Sequence, residues 1–403
     1  MIRRDAMVIG AGLAGAAVCE RLCARGWRVT LIERHGRPAA EASGNHAGSF
    51  HPLLARDANR MARLTQAGVA FALDYWRGLE AQGLRFGWRA CGVLQLSRDD
   101  GKADPVEALL GNTADIRGAR AVSRAMASEI AGVPLPGGGV FFEAGGWVQP
   151  PQLVAAQLTY CAARARDGFV THFGRAVAAL RRIDGQWEAI DAAGSVIARA
   201  AFVVAAGGAS ADVAHWFGQT EWPIESVRGA LTLLDATALA APRVPVHRDG
   251  YVLPAIDGRI VTGASYERAG VLDADVANRD NLRRLASLLR LPDAHALAPL
   301  AQSRSAGRAV ARDRLPVIGA LPDAAALTHA LVTRKGVRLA ELPRLPGAYV
   351  AGAYGSRGLT WAALGAEVLA CRLEGTAAPL DGALLDAVDP ARFAFRALRR
   401  EIP

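Results

Sequence analysis

The chain opens with a short apolar run over residues 5–9, helically spaced small and apolar residues over 13–25 up to Gly26, and a second apolar run over 28–33. That order predicts a buried strand, a helix and a second buried strand, joined by a right-handed crossover. An Ala- and Leu-rich stretch over 56–82 predicts a long helix. Residues 92–97 alternate like a strand, and 152–166 read as helix. The stretch 169–208 is strand-rich, with a hairpin signal at Asp184 and Gly185 and a buried strand at 202–206. From 224 to 266 short strands alternate with turns, and Asp257 with Gly258 is a second hairpin signal. Residues 278–291 predict a helix, 348–352 a last buried strand and 359–375 a last helix.

Elements of nucleotide-binding type therefore come from the start, middle and end of the chain. The strand-rich stretches between them predict a second, sheet-based domain. The expected fold is α/β: a Rossmann-like domain of residues 1–85, 147–222 and 306–403, interleaved with a substrate domain of 86–146 and 223–305, and a cleft between them.

The glycines carry the first chemistry. Gly10, Gly12 and Gly15 follow a strand and open a helix at GxGxxG spacing. Gly10 permits a tight turn, Gly12 lets backbone approach a pyrophosphate, and Gly15 lets the helix pack on the strand. Glu33 ends the second strand, where a carboxylate accepts hydrogen bonds from ribose hydroxyls. This motif leaves FAD and NAD both open. A second small-residue segment contains Ser43, Gly44, Asn45 and Gly48. A third, with Gly207, ends the strand at 202–206. A fourth comprises Gly355, Ser356, Arg357, Gly358, Leu359 and Thr360, between the last strand and last helix. A second helix N-terminus there suits a flavin, whose reduced anionic edge needs N–H donors.

Composition narrows the setting. The chain has 403 residues, 51% hydrophobic and 21% charged, enough for a large core. Its formal charge is +9, and all basic residues except Lys102 and Lys335 are arginine. Such a surface favours polyanions. Arg56, Arg60 and Arg63 fall on one helical face, and Arg392, Arg396, Arg399 and Arg400 crowd the tail, as candidate phosphate contacts. Cys19, Cys23, Cys91, Cys161 and Cys371 are scattered without a CxxC, and the eight histidines lack metal-ligand spacing. We expect a reducing, cytoplasmic setting without metal. No apolar run approaches the ~18 residues of a membrane span. Arg3 and Arg4 before an apolar run could pass for a leader, but Asp5 and the glycine spacing argue for the first strand.

Taken in order, these motifs resemble the D-amino-acid oxidase superfamily, with its glycine and sarcosine oxidases. A closer resemblance is to the FAD-dependent oxidoreductases that act on 5-carboxymethylaminomethyl-2-thiouridine in tRNA. Those usually form the C-terminal half of a bifunctional tRNA 5-methylaminomethyl-2-thiouridine biosynthesis protein. The matching pieces are Ala42 to Asn45, His51 to Leu54, Cys91 to Leu96, Gly145 to Val148, Arg308 to Gly319, Gly355 to Thr360 and Asp389 to Phe393. The chain starts directly at the flavin domain, so methylation would fall to a separate methyltransferase or not be performed.

The resemblance implies FAD held by Gly10, Gly12, Gly15, Glu33, Ser43, Gly44, Asn45, Gly48, Val177, Gly207 and residues 355–360. It implies hydride removal from a carbon next to nitrogen, with Arg308 gripping the substrate carboxylate and Arg312 or Arg314 as alternatives. Tyr251 and Tyr266 are candidates to bind that carboxylate or cap the cleft, and Trp147 reads as packing. Sarcosine oxidases tether flavin through a cysteine in the second half of the chain. Residues 303–319 hold none and Cys371 lies in the last helix, which implies non-covalent FAD. Three functions stay open: tRNA modification, oxidation of free glycine, sarcosine or another small amino acid, and a non-catalytic flavoprotein scaffold.

Overall fold

The computed structural model describes residues 4–55, 57–98, 118–219, 222–263, 265, 273–293, 295–327 and 337–401. Arg56 and Tyr266, weighed above, lie outside them. The first unit forms as expected: strand β1 (Asp5–Ile9), helix α1 (Leu13–Ala24) and strand β2 (Arg28–Glu33). They belong to a six-stranded sheet in the order Val317–Pro322, Arg344–Gly352, Phe202–Gly207, β1, β2, Phe169–Phe173. The edge strand Val317–Pro322 is antiparallel; the other pairings are parallel.

Its central strands are covered on both faces, which is why residues 6–9 and 202–206 read as unbroken apolar runs; the edge strand Phe169–Phe173 has no buried residue. Ala6 and Val8 of β1 join one core, shared with Val204, Ala206, α1 and the helices Pro150–Ala165 and Gly358–Glu374. Met7 and Ile9 point the other way. They join a second core with Trp187, Ala189 and Ile197 of an antiparallel sheet, Ala179–Ile183, Gln186–Ile190 and Val196–Ala200. Ala14, Ala16 and Ala17 are buried in α1, so that helix packs closely on its neighbours.

The second large sheet has eight strands in the order Gln302–Ala311, Ile224–Asp235, Arg259–Gly263, Tyr251–Val252, Val246–His247, Val93–Leu96, Gly139–Phe142, Ala119–Val122. Helix Ala274–Leu289 lays Leu282, Leu285, Leu288 and Leu289 against Leu94, Val246, Val252 and Ile260. Both hairpin signals fold as turns with two positive-φ residues: Asp184 (50°) with Gly185 (78°), and Asp257 (45°) with Gly258 (74°).

Helix starts depart from the apolar pattern because caps set them. Asn59 accepts a hydrogen bond from the Ala62 N–H, so the long helix is Arg60–Ala81. Asp273 caps Ala274–Leu289, so that helix starts four residues before the expected 278. Pro150 opens its helix, as a residue without an N–H can.

Candidate flavin and substrate cavity

A cavity of about 940 Å³ runs between the two large sheets. At one end, Gly10 takes φ +107°, and a Cβ there would lie 2.7 Å from the Ala206 carbonyl oxygen. Gly12 caps α1, and a Cβ on it would lie 2.8 Å from Ser43 Oγ. Ser43 Oγ in turn accepts a hydrogen bond from the Leu13 N–H at 2.9 Å. Gly10, Gly12 and Ser43 line the cavity; Gly15 does not, since its Cα packs on Gly10 and Ala206. Glu33 is 8% exposed and lines the cavity. Its carboxylate accepts from the N–H groups of Ala11 (2.8 Å) and His35 (2.9 Å), which fixes it beside the turn while each oxygen keeps further acceptor capacity.

The loop after β2 is fastened from two sides. Ala39, at φ +52°, donates its N–H to the Ala11 carbonyl at 2.9 Å. Arg304, from the strand Gln302–Ala311, donates through Nη2 to the carbonyls of Ala40 (3.0 Å) and Glu41 (2.8 Å). Gly44 lies beneath that guanidinium, where any Cβ would overlap Nη2, and it is not part of the cavity wall. Its missing side chain makes room for Arg304. Asn45, Gly48, Val177 and Gly207 do line the cavity.

All six residues of the last motif, Gly355 to Thr360, line the cavity at the N-terminus of Gly358–Glu374. The positive end of that helix's dipole points there. The Gly355 N–H donates to the Ala309 carbonyl at 2.9 Å, so this loop is pinned to the strand that carries Arg308. The bare turns at Gly10 and Gly12, the fixed carboxylate of Glu33 and two helix N-termini in one cavity suit a dinucleotide carrying a flavin. None of the five cysteines is among the cavity-lining residues.

Arg308 is 8% exposed and lines the same cavity; Arg312 and Arg314, weighed beside it, are exposed and do not. Tyr251 lines it from the strand Tyr251–Val252. Trp147 packs with Tyr251 against a small core of Leu231, Leu253 and Val261, in keeping with a packing role. Ser49, His51, Gln95, Arg228 and His247 also line the cavity. Of these, His51 lies in a recognisable motif, whereas distant strands bring the others there.

The arginine stripes divide. Arg60 is exposed, and Arg63 pairs with Asp381 at 2.6 Å. Arg392 is buried: it forks onto Asp313 at 2.9 Å through Nε and Nη2, bonds the Leu315 and Asp389 carbonyls, and stacks on Phe393. It is a core residue, and Arg396 pairs with the same Asp313. The side chains of Arg399 and Arg400 lie outside the described residues. Among the described residues no helix is long and apolar enough to cross a membrane, and no group of three His, Cys, Asp or Glu could hold a metal ion.

Comparison with solved structures supports the fold. The chain is similar to glycine oxidase from Geobacillus kaustophilus, with TM-score 0.74 and 22% identity over 94% of this chain and 96% of that one. It is similar to iminodiacetate oxidase from Chelativorans sp. BNC1, with TM-score 0.74 and 21% identity over 96% and 98%. Among curated proteins, it is 47% identical to the tRNA 5-methylaminomethyl-2-thiouridine biosynthesis bifunctional protein MnmC of Burkholderia thailandensis, over 98% of this chain and 61% of that protein. The Burkholderia mallei protein of the same name is 46% identical over 98% and 60%. The chain thus spans about 60% of the length of these relatives. The model of the FAD dependent oxidoreductase (DAO) family matches residues 5–372, both large sheets and the cavity between them, and the chain belongs to that family.

Proposed function

We propose that this FAD-dependent oxidoreductase acts on tRNA in the cytoplasm, removing the carboxymethyl group of 5-carboxymethylaminomethyl-(2-thio)uridine at the wobble position and leaving 5-aminomethyl-(2-thio)uridine. One observation carries the reading: the buried Arg308 shares its cavity with the Gly355–Thr360 loop and is joined to it through the adjacent Ala309. A cation for a carboxylate thus stands in the cavity that suits the flavin. Relatives named for making this type of tRNA nucleoside, at 46–47% identity, favour tRNA over a free amino acid.

FAD would be held by the turn at Gly10 and Gly12, Glu33, the loop at Ser43 to Gly48, Val177, Gly207 and residues 355–360. When bound it supplies the acceptor for a hydride from the carbon between nitrogen and carboxylate. Arg308 grips the carboxylate through two N–H groups and stops rotation about the C–C bond, and Tyr251, which lines the same cavity, is a second candidate to bind it. Loss of hydride and proton leaves an imine, and water cleaves it to glyoxylate and a primary amine. A methyltransferase partner acting on that amine would complete the 5-methylaminomethyl group. In this reading residues 1–85, 147–222 and 306–403 bind FAD, and 86–146 with 223–305 receive the substrate.

The test is mass spectrometry of wobble-uridine nucleosides from a strain lacking the protein, paired with anaerobic bleaching of the purified flavoprotein. Accumulated carboxymethylaminomethyl nucleoside and bleaching by the modified tRNA support the proposal. Bleaching by millimolar glycine or sarcosine, with unaltered nucleosides, would replace it with free amino-acid oxidation. No bleaching by any of them would point to a non-catalytic role.

A further inference from the structure

Two histidines that the reaction above does not use line the cavity beside Tyr251. His51 follows the strand Gly48–Phe50, and His247 ends Val246–His247 directly across from Tyr251. The His51 and His247 rings meet edge to face at 5.0 Å, and His247 stacks on Tyr251 at 5.4 Å. His247 Nε2 lies 2.8 Å from Ser49 Oγ. His51 Nδ1 lies 2.9 Å from the Pro52 carbonyl oxygen, which can only accept, so Nδ1 carries the proton and Nε2 presents a lone pair.

The charges around them are one-sided. Arg308 and Arg357 line this cavity, whereas its lining carboxylates, Glu33, Glu41 and Asp212, sit on β2, the loop after it and the turn before Val213–Phe217. The lining residues from 48–53, Val93–Leu96, Val246–His247, Tyr251–Val252 and Gln302–Ala311 include no acid. Arg357 and His247 face His51; His51 and Tyr251 face His247. Burial lowers His51 to about 4, with Arg357 adding to the effect, and burial followed by His51 lowers His247. Both rings are neutral at pH 7.

Amine oxidation needs the nitrogen lone pair, but a secondary amine in water at pH 7 is mostly ammonium. An ammonium would meet guanidinium groups and no carboxylate on these walls. A neutral amine can instead donate its N–H to an imidazole nitrogen. We propose that His51, braced by His247, is the subsite that accepts a hydrogen bond from the substrate amine and selects its neutral form. This rests on the amine-oxidase reading above. The ammonium proton goes to bulk water before binding, and the lone pair stays free to expel the hydride.

The probe is an anticodon stem-loop carrying 5-carboxymethylaminomethyl-2-thiouridine, with a second carrying sulfur in place of the amine nitrogen. Amine binding comes from the concentration dependence of anaerobic flavin reduction, and thioether binding from the flavin spectrum at equilibrium. In the wild type, apparent Kd for the amine should fall about tenfold per pH unit between 6 and 8, while the thioether's stays flat. His51→Phe should raise the amine Kd at least tenfold and change the thioether Kd less than twofold. His51→Gln keeps an acceptor and should keep the pH slope; His51→Asp supplies an anion and should flatten it. FAD content is checked for each variant. If the Phe variant loses FAD, the Gln and Asp slopes decide. Equal loss of both ligands, or parallel slopes for amine and thioether, overturns the subsite alone. A wild-type flavin left oxidised by the amine stem-loop overturns the underlying reading, and the subsite with it.

Discussion

Gly229 makes room for the guanidinium of Arg308: a methyl group on residue 229 would overlap Arg308 Nη1 and lie 2.6 Å from the Ser265 carbonyl oxygen. The two residues sit on paired strands, with Val227 opposite Arg308. Arg308→Ala should slow substrate-driven flavin reduction by about 2–5 kcal/mol of lost contact, with FAD content unchanged. Arg308→Lys should recover part of it, since an ammonium holds a carboxylate as a point charge. Gly229→Ala should resemble the Lys variant by pushing the guanidinium aside. Stopped-flow reduction checks all three; near-normal rates in Arg308→Ala would remove this residue from substrate binding.

Arg304 leaves the same strand four residues earlier and holds the Ala40 and Glu41 carbonyls instead of reaching the substrate. Arg304→Ala should weaken FAD binding by about 1.5 kcal/mol, the scale of hydrogen bonds from a charged donor, or roughly tenfold. Fluorescence titration of apoprotein with FAD measures it. An unchanged Kd would mean that the loop from 39 to 44 holds its shape unaided.

Asp313 and Arg392 tie the C-terminal helix to the core. Burial raises the Asp313 carboxyl, but hydrogen bonds and charge from Arg392 outweigh it and hold it below the usual carboxylate range. A depressed folded value means the contribution is present above the unfolded value, about 3.9, and lost as pH falls through the folded one. Arg392→Ala should cost about 3 kcal/mol, at the low end for a broken buried pair because Asp313 is 22% exposed. Melting curves from pH 6 to 2.5 should show the gap between wild type and variant closing at the acid end. A constant gap would assign the loss to packing alone.

Acid precipitation should leave yellow flavin in the supernatant, because no cysteine lines the cavity among the described residues. Colour retained by the pellet would mean a covalent link.

Arg228 is exposed and lines the cavity, so under the tRNA proposal it would meet a phosphate of the entering backbone. Log K for tRNA should fall with log salt by roughly 0.7 to 0.9 per phosphate contact, and Arg228→Ala should reduce the slope by about one contact. A flat response would argue for a small, free substrate. Arg392→Ala should leave the slope alone, since that side chain is buried.

Much of the frame was legible because it depends on local rules. The strands at 5–9 and 28–33 could be read as a parallel pair, since a short helix between two mostly apolar runs is the pattern of a βαβ crossover. Asp184-Gly185 and Asp257-Gly258 specified their turns through residues that tolerate positive φ. The glycine spacing and Glu33 marked the dinucleotide end for the same local reason. Helix starts were less legible: Asn59 and Asp273 set them through single side-chain caps outside the apolar period.

The sequence by itself determined the family, the order of the glycine-rich motifs and three candidate arginines for a carboxylate. Tertiary structure decided which arginine reaches the cavity, choosing Arg308 over Arg312 and Arg314, and turned Arg392 from a surface charge into a core residue. It also gave Gly44 to Arg304 and brought Ser49, His51, Gln95 and His247 to one wall. Periodicity tells which residues avoid water. It does not tell which of several like charges finds a partner, or which distant strands become neighbours. Those outcomes depend on long-range pairing and on the cost of leaving a buried charge uncompensated, and neither is written in any local window of the chain.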